Sequence, residues 1–181
     1  MLTVERIEEG EVSPYLIEEL RVGDQVELRG LIGGYFVWSA NDEKNEGLAL
    51  FLVAGGSGIA PLMAMIRHRA YAVKKVPTKL LYSSRSFEDV IYREELDRLA
   101  RNDSSLSVIH TLTRRQPQNW TGYRHRIDRT MLAENAFKPS EKPLVFACGS
   151  TGLIEAVSTY LLELGHKSER IKTERFGATG N

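Results

Sequence analysis

The sequence predicts an α/β fold, a doubly wound parallel sheet with the remnant of an antiparallel β domain ahead of it. Three observations lead there. From Leu48 onward, short apolar runs alternate with amphipathic helical patterns, as in βαβ units joined by right-handed crossovers. The runs are continuous and apolar, which suits strands buried on both faces. Residues 1–47 differ, with apolar and polar positions alternating between turn signals.

In chain order, Leu2–Ile7 and Gln25–Arg29 read as half-buried strands, separated by the turn chemistry of Ser13-Pro14 and Gly23-Asp24. Two strands and a short helix bury too little surface to stand alone. The polar stretch Ser39–Gly47 is the expected linker. Leu48–Ala54 reads as the first buried strand, and a glycine turn follows it. Leu62, Met65, Ile66, Arg69 and Val73 then recur at helical spacing, with Pro61 in the first turn, where its missing N–H costs nothing. Lys79–Ser83 reads as a strand, Tyr92–Asn102 as a helix carrying Leu96 and Leu99, and Leu106–Thr111 as a third strand. A short helix over Asp128–Asn135 leads to a fourth strand, Leu144–Cys148. The last helix gathers Leu153, Val157, Tyr160, Leu161 and Leu164 on one side and stops at Gly165.

Composition narrows the function classes. The formal charge of zero, from 24 basic and 24 acidic side chains, hides a division. Residues 1–50 hold 4 basic and 11 acidic groups, whereas residues 51–181 hold 20 and 13. The cationic part favours a phosphate-bearing small molecule; a simple excess of this kind is no specific sign of nucleic acid, and none is expected. A lone Cys148 excludes a four-cysteine zinc or iron–sulfur site within the chain. His68, His110, His125 and His166 lack paired ligand spacing, so no metal site is expected. The acidic start has no leader pattern and no apolar run approaches membrane-spanning length, so a cytoplasmic location without a membrane span is the expectation.

Motifs are expected just beyond strand ends, where such sheets bind ligands. Ala54-Gly55-Gly56-Ser57-Gly58-Ile59-Ala60-Pro61 lies between a strand and a helix. Its glycines let the backbone approach a pyrophosphate, and the helix start offers free N–H groups. It departs from G-x-G-x-x-G at Pro61 and lacks the Lys-Ser/Thr ending of a P-loop, and a plain tight turn is the alternative. Ser83-Ser84-Arg85 ends the next strand, with Arg93 eight residues on. A basic group there suits a 2′-phosphate and favours NADP(H) over NAD(H); a solvated arginine pair is the alternative. Cys148-Gly149-Ser150-Thr151-Gly152 ends the fourth strand, where a small thiol and a glycine let a flat ring approach. A buried structural cysteine is the alternative. The same run approaches the nucleophile elbow G-x-S-x-G through Ser150, but its first glycine is missing and the only downstream acid and histidine in the right order are Glu163 and His166.

These motifs, followed by Glu174-Arg175-Phe176-Gly177, resemble the ferredoxin–NADP reductase superfamily in order and spacing. The resemblance continues forward. Gly10-Glu11-Val12-Ser13 is similar to the segment that holds the FAD pyrophosphate, which makes Gly10, Val12 and Ser13 candidate FAD contacts. Gly30–Phe36 is similar to the closing segment of the flavin barrel, with Leu31 where a proline is usual. The family implies a five-stranded parallel NAD(P)-binding domain over residues 47–181, preceded over residues 1–46 by the C-terminal remnant of the FAD-binding β-barrel. It implies hydride transfer from NAD(P)H to FAD, then electron transfer to a protein or small acceptor that the sequence does not name. Gly56, Ser57, Gly58 and Pro61 would form the pyrophosphate turn; Ser84, Arg85 and Arg93 would read the 2′-phosphate. Cys148 and Gly149 would sit beside the nicotinamide, and Glu174 and Phe176 would supply a carboxylate and a ring near the flavin.

The family's Arg-x-Tyr-Ser motif has no counterpart in the sequence, and only the last two barrel strands are matched. An acidic segment of net charge −7 is a poor holder of a pyrophosphate. The alternative to an enzyme is therefore a nucleotide-binding module without redox activity of its own. Exposed strand edges would favour a homo-oligomer or a strand-completing partner.

Overall fold

The computed structural model describes residues 3–4, 6, 9–27 and 34–176. Contacts divide the chain into Met1–Gly34 and Tyr35–Asn181. In the first unit, α1 (Val12–Pro14) runs directly into a wider helical turn, Tyr15–Glu19. The described members of Leu2–Ile7 and Gln25–Arg29 carry no strand; the other members, with Gly30–Gly33 and Gly177, lie outside the described residues.

The second unit is a five-stranded, all-parallel sheet in the order β3-β2-β1-β4-β5. Its strands are β1 (Leu50–Gly55), β2 (Thr78–Ser84), β3 (Leu106–Leu112), β4 (Leu144–Ser150) and β5 (Ile171–Phe176). Its longer helices are α2 (Ile59–Ala70), α3 (Arg93–Arg101), α4 (Arg129–Asn135) and α5 (Thr151–Glu163). Successive side chains of a strand point to opposite faces. In β1, Leu50, Leu52 and Ala54 therefore join a core under α2 and α3, while Phe51 and Val53 join a second core under α4 and α5. All five are fully buried, and burying each large apolar side chain stabilises the fold by about 1.5–3 kcal/mol.

The helix boundaries follow local chemistry. Asp128 caps α4 by accepting from the Met131 N–H at 2.8 Å. Gly165 ends α5 with φ +91°, a conformation that favours glycine. α2 stops at Ala70, so Val73 does not extend its apolar stripe and is fully exposed instead. Arg69, on the same predicted stripe, is buried. The stretch Ser39–Gly47 contains one short 3-10 helix, Glu43–Asn45, with Asp42 accepting from the Lys44 N–H at 3.0 Å.

Strand order reverses between β1 and β4. The chain builds outward from β1 through β2 to β3, then returns to the other side of β1. The carboxyl ends of β1 and β4 thus flank a crevice at the switch point, the usual ligand site of open α/β sheets.

Candidate nucleotide-binding site

The site starts where β1 ends. Gly56–Gly58 form one tight turn before α2. Gly56 has φ +54°, and no atom lies within 4 Å of where a Cβ would stand, so its glycine serves conformation. Gly58 has an ordinary φ of −60°. A Cβ there would overlap the Cys148 carbonyl oxygen and lie 2.9 Å from the Gly149 nitrogen, so its glycine serves space. Across the crevice, a Cβ on Gly149 would lie 2.9 Å from Leu153 Cδ2 and 3.4 Å from the Gly55 Cα. The ends of β1 and β4 and the start of α2 therefore meet backbone to backbone. Ser57 is half-buried in the turn, and Pro61 occupies the third position of α2.

Tyr82 fixes this turn from β2. Its hydroxyl donates to the Gly56 carbonyl at 3.0 Å and accepts from the Ile91 N–H at 3.2 Å. One buried side chain thus links β2, the glycine turn and the approach to α3. Sequence reasoning missed this role, because nothing local distinguishes Tyr82 from another apolar strand residue.

The end of β2 gathers basic groups. Arg85 is exposed. Ser84 is buried, and its hydroxyl has no hydrogen-bond partner, which leaves an orphan donor at the strand end. The Arg93 guanidinium lies 4.4 Å from the centre of the Phe87 ring and donates to the Phe87 carbonyl at 3.2 Å. The chain after β3 joins them, because the Arg114 and Arg115 N–H groups both donate to the Arg85 carbonyl, at 2.9 and 3.1 Å. These two exposed arginines were also missed, although their place directly after the third strand put them at the same sheet edge. Glu88 lies nearby. Its carboxyl is held below the usual range by its own backbone and Ser86, with a smaller contribution from the Arg115 charge.

On the other side, β4 and β5 pair Cys148 with Glu174, Gly149 with Arg175 and Ser150 with Phe176. Cys148 is buried, and that burial, with the Glu174 charge, pushes its thiol up to about 12. It is a neutral thiol at physiological pH and no nucleophile. Iodoacetamide at pH 8 should leave Cys148 unlabelled in the folded chain and label it in urea; mass spectrometry reads the difference, and rapid labelling of the folded chain would contradict this. Glu174 is exposed, and the Phe176 ring is 39% exposed at the end of β5. Ser150 has an extended backbone, φ −62° and ψ 151°, rather than a strained elbow. Glu163 and His166 lie at the far end of α5, so no hydrolase triad forms.

Residues 52–159 match the family described as the oxidoreductase NAD-binding domain. The chain belongs to that family, within the ferredoxin–NADP reductase superfamily. The chain is 32% identical over 180 residues to the glycine betaine monooxygenase reductase subunit of Pseudomonas aeruginosa, a match covering 98% of the chain and 47% of that protein. It is 29% identical to NADH-cytochrome b5 reductase 3 of Mus musculus, with 91% and 58% covered. Its fold matches the cytochrome b5 reductase domain of Ulva prolifera nitrate reductase with a TM-score of 0.81 at 24% identity, covering 91% of this chain and 66% of that one. The chain spans about half the length of the curated relatives it matches.

Gly10, Val12 and Ser13 belong to the first unit, where Val12 and Ser13 lie in α1. Both described arginines there are engaged. Arg6 Nε donates to Glu18 at 2.7 Å, and Arg21 donates to the Glu18 and Leu20 carbonyls at 2.7 and 3.3 Å. Glu11, Glu18 and Glu19 flank the same turns. These described residues do not by themselves fit an FAD pyrophosphate. Among the described residues, no group of three or more His, Cys, Asp or Glu is placed to hold a metal ion, and no helix is long and apolar enough to cross a membrane.

Proposed function

We propose that this chain is the nicotinamide-nucleotide half of an NAD(P)H-dependent flavin oxidoreductase, passing hydride from NAD(P)H to FAD and electrons onward to a protein or small acceptor. The observation that carries this reading is the backbone packing at Gly58, Cys148 and Gly149. It sets the start of α2 against the backbone of β4 with no room for a side chain at Gly58, which brings the first N–H groups of α2 to the switch point, an arrangement suited to a pyrophosphate. Gly56, Ser57 and Gly58 hold that group, with Pro61 shaping the first turn of α2. Cys148 and Gly149 present a small neutral surface to the nicotinamide, and Glu174 and Phe176 supply a carboxylate and a ring at the same edge. FAD, when bound, supplies the two-electron acceptor that can release electrons singly.

NADP(H) is favoured over NAD(H). Arg85 follows the unsatisfied Ser84 hydroxyl at the end of β2, Arg93 donates from the start of α3 to the Phe87 carbonyl, and the Arg114 and Arg115 N–H groups bond the Arg85 carbonyl. Arg85→Ala should weaken NADPH binding about tenfold, the worth of one hydrogen bond between charged groups, and leave NADH binding unchanged. Fluorescence titration with both nucleotides checks this; equal losses for both would remove Arg85 from 2′-phosphate recognition.

The engaged arginines and acidic character of the first unit favour a second reading, a nucleotide-binding module without independent redox activity that a partner chain completes. The two readings separate in one preparation. A visible flavin band with NADPH-driven dye reduction, with or without added FAD, supports the enzyme. Nucleotide binding with neither band nor turnover supports the module, and absence of nucleotide binding defeats both.

A further inference from the structure

A second cavity lies at the opposite edge of the sheet. It has a volume of about 180 Å³ and is lined by Lys142, Pro143, His166, Lys167, Glu169 and Arg170, together with Pro139. Lys142-Pro143 directly precede β4 and His166–Arg170 directly precede β5. A seven-residue strand separates this edge from Cys148–Ser150 by roughly 20 Å, so the cavity is separate from the nucleotide crevice.

Three features set it apart from an ordinary surface dent. His166 is only 6% exposed, yet neither ring nitrogen has a hydrogen-bond partner among the described residues. Burial disfavours its charged form, so the ring offers a neutral donor and acceptor to the cavity that it lines. Next, three cations line the cavity against one carboxylate, Glu169, and Lys167 lies 3.8 Å from it. Finally, Lys142 is held at φ +52°, a left-handed conformation that costs a lysine free energy and persists only where neighbours impose it. Its N–H donates to the Pro139 carbonyl at 3.0 Å, and its carbonyl accepts from Arg170 Nη1 at 2.7 Å. That clamp, between two prolines, holds the cavity wall in shape before any ligand arrives.

We propose that this cavity binds a phosphate-type oxyanion, with His166 as a hydrogen-bonding partner and Lys142, Lys167 and Arg170 supplying the positive field. A tetrahedral oxyanion accepts from the His166 ring and balances the charge excess together, which a neutral or cationic ligand does not. The anion is inorganic phosphate or the phosphoryl group of an organic ester, chemically alike at this surface.

The test is a titration of the full chain, isotopically labelled at histidine, following the His166 ring signals by NMR. Sodium phosphate and glycerol phosphate are the two probes, and sodium chloride at matched ionic strength is the control. The expected result is a saturating shift at His166 that chloride does not reproduce and that weakens at least fivefold in Lys142→Gln/Lys167→Gln. Saturation by sodium phosphate supports the proposal with the free anion as ligand, and saturation by glycerol phosphate alone supports it with an organic ester. Non-saturating shifts with both probes, an equal response to chloride, or an unaltered affinity in a folded double variant would overturn it. Because wild-type saturation is measured first, the proposal stays testable even if that variant does not fold.

Discussion

Gly58→Ala is expected to reduce nicotinamide-dinucleotide affinity about a hundredfold and to lower stability by about 1–3 kcal/mol. The reason is geometric. The added methyl would overlap the Cys148 carbonyl oxygen, sit 2.5 Å from its carbonyl carbon and lie 2.9 Å from the Gly149 nitrogen. All three atoms are backbone, so no rotamer change relieves the clash. The start of α2 must move off the end of β4, carrying the first N–H donors away from the place a pyrophosphate would occupy. Losing two charge-assisted hydrogen bonds at about 1.5 kcal/mol each gives the hundredfold. Gly56→Ala is the informative comparison. It meets no atom within 4 Å but places alanine at φ +54°, a penalty of about 1–2 kcal/mol, so its loss should be roughly tenfold or less. Isothermal titration with NADPH and NADH, beside thermal unfolding, measures both. Affinity within twofold of wild type for a folded Gly58→Ala chain would refute the assignment of the turn.

The contrast between these glycines shows where sequence reading ends. Its composition and position single out the run Gly55-Gly56-Ser57-Gly58 as a candidate phosphate turn, with a plain tight strand–helix turn as the alternative. Which glycine serves conformation and which serves space depends on β4, which joins the site from about ninety residues further along the chain. The strands were legible for a similar reason: Leu50–Ala54 is continuous and apolar because both sheet faces are covered. Val73 was misplaced because its spacing continues the stripe of α2, and spacing alone does not reveal that the helix stops at Ala70. Arg114 and Arg115 carry no strand or helix periodicity, so only the fold brings their backbone against Arg85. The candidate flavin contacts rest on resemblance, and their segment offers little independent pattern to read.

Arg69→Met is expected to destabilise the chain by about 3–5 kcal/mol, the usual cost of removing one member of a buried ion pair. Periodicity placed Arg69 on the buried stripe of α2, and it is indeed only 1% exposed. Its guanidinium makes three connections: Nε donates to the Val76 carbonyl at 2.7 Å, Nη1 to Asp103 at 2.7 Å and Nη2 to the Ser105 hydroxyl at 2.5 Å. One side chain thereby ties the end of α2 to the entries of β2 and β3. Asp103 accepts further hydrogen bonds from the Ser105 N–H and hydroxyl, at 3.0 and 2.6 Å. Burial alone would raise the Asp103 carboxyl, but the bonds from Ser105 and Arg69 outweigh it and hold it well below the usual carboxylate range. A depressed folded-state value stabilises the protein above the unfolded value of about 3.9 and ceases to do so as pH falls through the folded one. The deficit of Arg69→Met should therefore be largest near neutrality and shrink below about pH 4. For a chain of this size, 3–5 kcal/mol corresponds to a fall in melting temperature of roughly 6–20 °C. Arg69→Met/Asp103→Leu should recover part of it, because the uncompensated carboxylate is then gone. Urea unfolding from pH 3 to pH 7 measures each step, and a deficit below 1 kcal/mol at pH 7 would mean that the network does not stabilise the fold. The two loops it joins lie at the end of the sheet opposite the glycine turn, so dinucleotide affinity at low temperature should stay within about twofold of wild type, separating the stability role of Arg69 from any part in binding.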